Sequence, residues 1–96
     1  YDIVRELCEY GISPVVCDPV ADKQETEALY GIQLRDLDKI QDMDAVIIAV
    51  AHSQFKALTK EKISAMFADG QKLLFDIKGI FDKNEYQADG FKYWRL

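Results

Sequence analysis

Seven consecutive apolar residues, Ala45-Val46-Ile47-Ile48-Ala49-Val50-Ala51, lie between Asp44 and the polar pair His52-Ser53. The run does not alternate apolar with polar, so it predicts a strand covered on both faces. Its length and β-branched content favour a central strand over a helix. It is far shorter than the roughly 20 residues a membrane helix needs. A strand of this kind needs helices packed over it, and that narrows the fold to the α/β class.

The flanking pattern supplies those helices. Ile3, Val4, Leu7 and Cys8 recur at helical spacing with Arg5, Glu6 and Glu9 between them, and Gly11 and Pro14 end the helix. Val15-Val16-Cys17 reads as a short buried strand, broken by Asp18-Pro19. A second helix is predicted from about Asp22 to Tyr30, with Gly31 as its stop. A short helix follows from Leu37 to Ile40, with Asp36 as N-cap. Ile32 to Leu34 is ambiguous. Beyond His52-Ser53, Ser53 and Thr59 read as helix caps. Ile63, Met66 and Phe67 share one face, and Asp69-Gly70 closes the segment. Leu73 to Ile77 reads as another buried strand, with Lys78-Gly79 as its exit. A short helical turn is placed within Ile80 to Tyr86. A last edge strand is placed at Phe91 to Trp94. Buried strands separated by helices imply a parallel sheet with right-handed crossovers. The fold is expected to be a Rossmann-type three-layer αβα sandwich. The opening helix has no strand before it, and the chain starts at Tyr1 without an initiator methionine. The chain is therefore expected to be one domain over residues 1–96, cut from a longer protein and lacking its first strand.

Composition restricts the function classes. Hydrophobic residues make up 49% and charged residues 30%, which excludes a disordered tail. There are 17 acidic and 12 basic residues, for a formal charge of −5. A general grip on nucleic-acid phosphates needs the opposite field, and Tyr93-Trp94-Arg95 is not accompanied by the interleaved basic residues of a stacking platform. No signal peptide or membrane span is visible, so a cytoplasmic location is expected. Cys8 and Cys17 lack CxxC spacing and a second histidine. Both fall at apolar positions where packing is the expected role. Neither Gly-x-Gly-x-x-Gly nor Gly-x-x-x-x-Gly-Lys occurs.

In open parallel sheets ligands bind beyond the carboxyl ends of the strands. That rule selects Asp18, His52-Ser53, and Asp76, Lys78 and Gly79. Asp18 before a proline either caps a turn or accepts from a ribose hydroxyl. A lone histidine such as His52 is more often a structural hydrogen-bonding residue than a catalyst. Lys78 beside Gly79 either meets a phosphate or carboxylate as a point charge or is a solvated loop lysine.

Taken in order, Val16-Cys17-Asp18-Pro19, the run Asp44 to His52, Phe55-Lys56, Phe75-Asp76-Ile77-Lys78-Gly79 and Tyr93-Trp94-Arg95-Leu96 resemble the C-terminal domain of the UDP-glucose/GDP-mannose dehydrogenase family. The Asp-Ile-Lys-Gly stretch and the Trp-Arg-Leu ending look most like the bacterial branch that oxidises UDP-N-acetylhexosamines. The resemblance implies an NAD-dependent, homo-oligomeric parent enzyme. It oxidises the sugar C6 alcohol to a uronic acid for capsule or other surface polysaccharide. NAD and the catalytic cysteine belong to regions outside these residues, and neither Cys8 nor Cys17 matches the nucleophile. The chain alone is expected to be inactive and to contribute UDP-sugar binding. Lys78 leads the expected contacts, with Asp76, Gly79, Asp18 and His52. A competing reading is a phosphoacceptor, receiver-like signalling domain using Asp18, Ser53 and Lys78. It is weakened by Pro19, by Gly79 and by the missing acidic pair for magnesium.

Overall fold

A computed structural model describes residues 2–95, which divide into two compact units between Ile40 and Gln41.

In the first unit, helix α1 spans Asp2–Glu9 and α2 spans Lys23–Tyr30. The stripe of α1 leaves Val4 and Leu7 half-buried and no residue fully buried. Cys8, one turn after Val4, is exposed, against the packing role expected for it. Asp22 caps α2 by accepting from the Glu25 N–H at 2.9 Å. Gly31 ends the helix at φ 66°, a left-handed conformation that glycine adopts without a Cβ penalty. The expected strand at Val15–Cys17 is reduced to one parallel bridge, Val16 to Leu34, with the Arg35 N–H donating to the Val16 carbonyl at 2.8 Å. Asp18-Pro19 stops the ladder before a second rung can form. A 3₁₀ turn spans Leu37–Lys39. Asp36 precedes it without a side-chain cap bond, because its carboxylate pairs with Lys23 instead.

The second unit carries the sheet. Strand β1 spans Ala45–Ile48, helices α3 and α4 span Ser53–Lys56 and Lys60–Ser64, and β2 spans Leu73–Asp76. Helix α5 spans Lys83–Ala88 and β3 spans Lys92–Trp94. The strand order is β1-β2-β3 and both pairings are parallel. Each strand thus returns through helix, giving a Rossmann-like α/β arrangement.

Register defines two faces, because side chains alternate along a strand. Ile48, Leu74, Asp76 and Tyr93 lie on the buried face. Tyr86 of α5 packs there, its ring 5.9 Å from Tyr93 and 5.0 Å from Phe91, while Phe67 meets Phe91 at 6.1 Å. Ile63 and Leu74 have no exposed surface. The other face carries the cross-strand row Ile47, Phe75 and Trp94, where Phe75 and Trp94 stack at 4.9 Å. Ile47 is 39% exposed and Trp94 48%. Those values correct the expectation for residues 45–51. The strand stops at Ile48, stands at one edge of the three-stranded order, and is buried only at Ile48. An apolar run reports hydrophobicity but not position in the sheet. The predicted edge strand at the chain end is present as β3, on the opposite edge.

Candidate functional site

The loop leaving β2 is built around Asp76. Its residue has no exposed surface. Oδ1 accepts from the Ile80 N–H at 3.1 Å and Oδ2 from the Phe81 N–H at 2.9 Å. The Tyr93 hydroxyl donates to Oδ2, and its oxygen also lies 3.2 Å from the Phe81 carbonyl. A buried carboxylate is tolerated when its lone pairs are met in this way. The backbone reverses beneath it. The Ile77 N–H still donates to the Ile48 carbonyl at 3.0 Å, as a last rung between β1 and β2. The Gly79 N–H then closes a turn onto the Asp76 carbonyl at 3.2 Å. Gly79 has φ 64°, where an L side chain is strained. Lys78 occupies this turn and is exposed. It forms no ion pair with another described residue.

Arg95 follows β3 and lies over the same turn. A Cβ at Gly79 would sit 3.5 Å from the Arg95 Cδ and 3.8 Å from its Nη1. Burial first, then the hydrogen bond to Asp76, push the Tyr93 pKa up, while Arg95 pulls against that rise. Tyr93 therefore stays a proton donor throughout the neutral range.

His52 stands at the head of α3. Its Nδ1 accepts from the Gln54 N–H at 3.0 Å, and its ring meets Phe55 edge-on at 5.8 Å. The helix cap is thus His52 and not Ser53, which is the first helical residue. Accepting at Nδ1 leaves the neutral ring protonated on Nε2. Asp18, in the first unit, takes the Val20 and Ala21 N–H groups on Oδ1 at 3.1 and 3.2 Å, an Asx-type turn. Cys17 beside it is half-buried, and its thiol pKa is raised by burial, then by the Asp18 and Asp36 charges. A thiol in that setting is a poor nucleophile.

The structure therefore brings Asp76, Lys78 and Gly79 together as one loop and adds Tyr93 and Arg95 to it. The sequence marks Tyr93-Trp94-Arg95 as an edge strand and a family signature but does not place Tyr93 or Arg95 at the site. The available signal was spacing. Tyr93 pairs with Leu74, so Asp76 is its diagonal neighbour on the same face, within reach of a tyrosine. Among the described residues no group of three His, Cys, Asp or Glu is placed to hold a metal ion. No described helix is long and apolar enough to cross a membrane.

A parallel α/β unit with a tightly organised loop at the carboxyl end of its middle strand is Rossmann-like, and that end is where open sheets of this class take ligands. Comparison with known proteins narrows the class. The UDP-glucose/GDP-mannose dehydrogenase family, UDP binding domain, matches over residues 1–83. The chain belongs to that family. Protein CapL of Staphylococcus aureus is 35% identical over 94 residues, covering 98% of this chain and 22% of its own length. A UDP-N-acetyl-D-glucosamine 6-dehydrogenase of Pseudomonas aeruginosa is 36% identical over 84 residues, covering 88% of this chain and 20% of its own length. A UDP-N-acetyl-D-mannosamine dehydrogenase of Methanococcus vannielii is 30% identical over 91 residues, covering 94% and 20%. The chain thus spans about a fifth of the length of these relatives. No solved structure matches it.

Proposed function

We propose that residues 1–96 are the UDP-sugar-binding part of a longer NAD-dependent dehydrogenase. That enzyme oxidises the C6 alcohol of a UDP-N-acetylhexosamine to a uronic acid for capsule or other surface polysaccharide. Family membership and the names of the relatives support the substrate class. The observation that carries the binding role is Lys78. It is an exposed cation on a turn set by a buried acid, beyond the carboxyl end of a parallel strand.

The division of work in the loop follows from its chemistry. Lys78 meets the diphosphate as a point charge. Gly79 supplies the left-handed turn that lifts Lys78 outward. Asp76 does not need to touch the ligand, because its oxygens are engaged by Ile80, Phe81 and Tyr93 and hold the turn in one shape. His52 at the head of α3 completes the proposed set in this unit, and Asp18, on the turn after Cys17 in the first unit, is proposed as a contact of its own. NAD does not fit these residues. The turns after β1 and β2 hold one glycine between them, Gly79, and not the glycine-rich loop that receives a dinucleotide's pyrophosphate. Hydride transfer is therefore assigned to a region outside this chain.

Calorimetric titration of the full-length protein with UDP tests the reading. Lys78→Ala is expected to weaken UDP by about tenfold or more, a loss of about 1.4 kcal/mol. UDP binding that survives Lys78→Ala unchanged removes Lys78 from the site. A wild-type protein that ignores UDP overturns the proposed function.

A further inference from the structure

The cations of this chain are unevenly paired. Among the described residues, the ion pairs use Arg5, Lys23 and Lys60, each facing a nearby carboxylate. The other nine, Lys78 and Arg95 among them, have no such partner among the described residues, although the chain carries 17 acidic residues and a net charge of −5. Asp76 is the acid closest to the turn in sequence, and its oxygens are spent on Ile80, Phe81 and Tyr93. Lys78 and Arg95 thus both adjoin one glycine without a direct ion pair to a described carboxylate. An anion bound there would be drawn by both charges.

The geometry distinguishes the two cations. The Arg95 stem passes Gly79 so closely that a Cβ there would lie 3.5 Å from its Cδ, in ordinary van der Waals contact. Its charge also acts on the Tyr93 hydroxyl, whose pKa it pulls down. A guanidinium is a planar fork whose donors are fixed relative to one another. Lys78, one residue before Gly79, is a point charge on a flexible stem. A fork beside a point charge suits two linked phosphates better than one carboxylate, since the fork takes two oxygens of one group and the ammonium takes the other.

We infer that Arg95 is the second cation of the Lys78 loop and binds the diphosphate of a nucleoside-diphosphate ligand across Gly79. The inference rests on the proposed UDP-sugar reading and adds to it a residue and a preference for two phosphates over one.

Titrations of the full-length protein with UDP, UMP and uridine, at low and high salt, test it. Arg95→Ala is expected to weaken UDP by about tenfold, to weaken UMP less, and to leave uridine unchanged. It is also expected to flatten the salt dependence of UDP binding, because one screened charge contact is gone. Arg95→Lys is expected to recover only part of the loss, since the fork is replaced by a point charge. Arg95→Gln keeps the stem over Gly79 without the charge. It is expected to lose UDP affinity as Arg95→Ala does, and it carries the comparison if Arg95→Ala folds poorly. UDP affinity unchanged in Arg95→Gln, while Lys78→Ala abolishes it, overturns the role of Arg95 and leaves the function intact. Equal losses for UDP, UMP and uridine also overturn it, because they report a damaged fold and not a lost phosphate contact. No UDP binding by the wild type removes both readings together.

Discussion

Asp76 and Tyr93 form a contact on which the loop geometry depends. A buried carboxylate stripped of a donor costs more than an exposed one, because no water replaces the lost hydrogen bond. Tyr93→Phe removes the hydroxyl and leaves the Ile80 and Phe81 N–H groups in place. It is expected to cost about 1.5–3 kcal/mol, the usual value for a hydrogen bond to a charged group. Asp76→Ala unpairs all three donors at once and is expected to cost more. Thermal unfolding of the two variants checks the order, at roughly 4–8 °C per kcal/mol for a domain of this size. A smaller loss for Asp76→Ala than for Tyr93→Phe would show that the loop is held by something other than this carboxylate. The residues singled out from sequence prove unequal at this scale. Lys78 is exposed, Asp76 is enclosed, and Asp18 and His52 both use side-chain atoms to cap backbone.

The elements are short, and their ends are set by capping side chains. Thr59 accepts from the Lys62 N–H at 3.2 Å and opens α4, as its sequence position predicts. Asp82 opens α5 by accepting from the Glu85 N–H at 2.9 Å. A five-residue helix has few internal bonds, so its cap is a large share of what fixes its start. Thr59→Ala is expected to cost about 1 kcal/mol. Chemical denaturation should show a lower midpoint with an unchanged slope, since the buried surface stays the same. A changed slope would mean that α4 unravels and that Ile63, fully buried at its end, comes free. Lys60 links α4 to α5 through Glu85 at 3.2 Å and through Asp89. Those two acceptors raise its pKa and keep it charged.

For the molecule as a whole, charge and burial set the pH limits of stability. On the acid side, the Lys23 hydrogen bond and charge hold Asp36 below the ordinary carboxylate value. A lowered folded pKa contributes stability above the ordinary value, and that contribution is lost as pH falls through the depressed one. The pair is exposed, so salt should weaken it. On the alkaline side, burial and then the Glu85 charge push Tyr86 up to about 12, and Tyr93 is raised as well. A raised folded pKa contributes stability that is complete below the ordinary tyrosine value of 10.0 and is lost as pH climbs through the raised value. A tyrosinate absorbance titration should therefore show two of the five tyrosines ionising late, together with alkaline unfolding. Five tyrosines titrating together near the ordinary value would contradict the burial of Tyr86 and Tyr93.

The residue order by itself determined the α/β class and the parallel sheet of the second unit. Hydrophobic runs, breakers and caps act over a few neighbouring residues and need no tertiary knowledge to be read. The order of the motifs also carried the family, because a series of weak signals in one sequence is specific where each alone is not. Tertiary structure alone decided that β1 stands at the sheet edge, that Val15–Cys17 forms a single bridge, and that Cys8 is exposed. It alone placed Tyr93 on Asp76 and Arg95 over Gly79. Those contacts join residues sixteen or more positions apart, through strand register and the path of a loop. Local pattern carries no information about which distant backbone a side chain will meet.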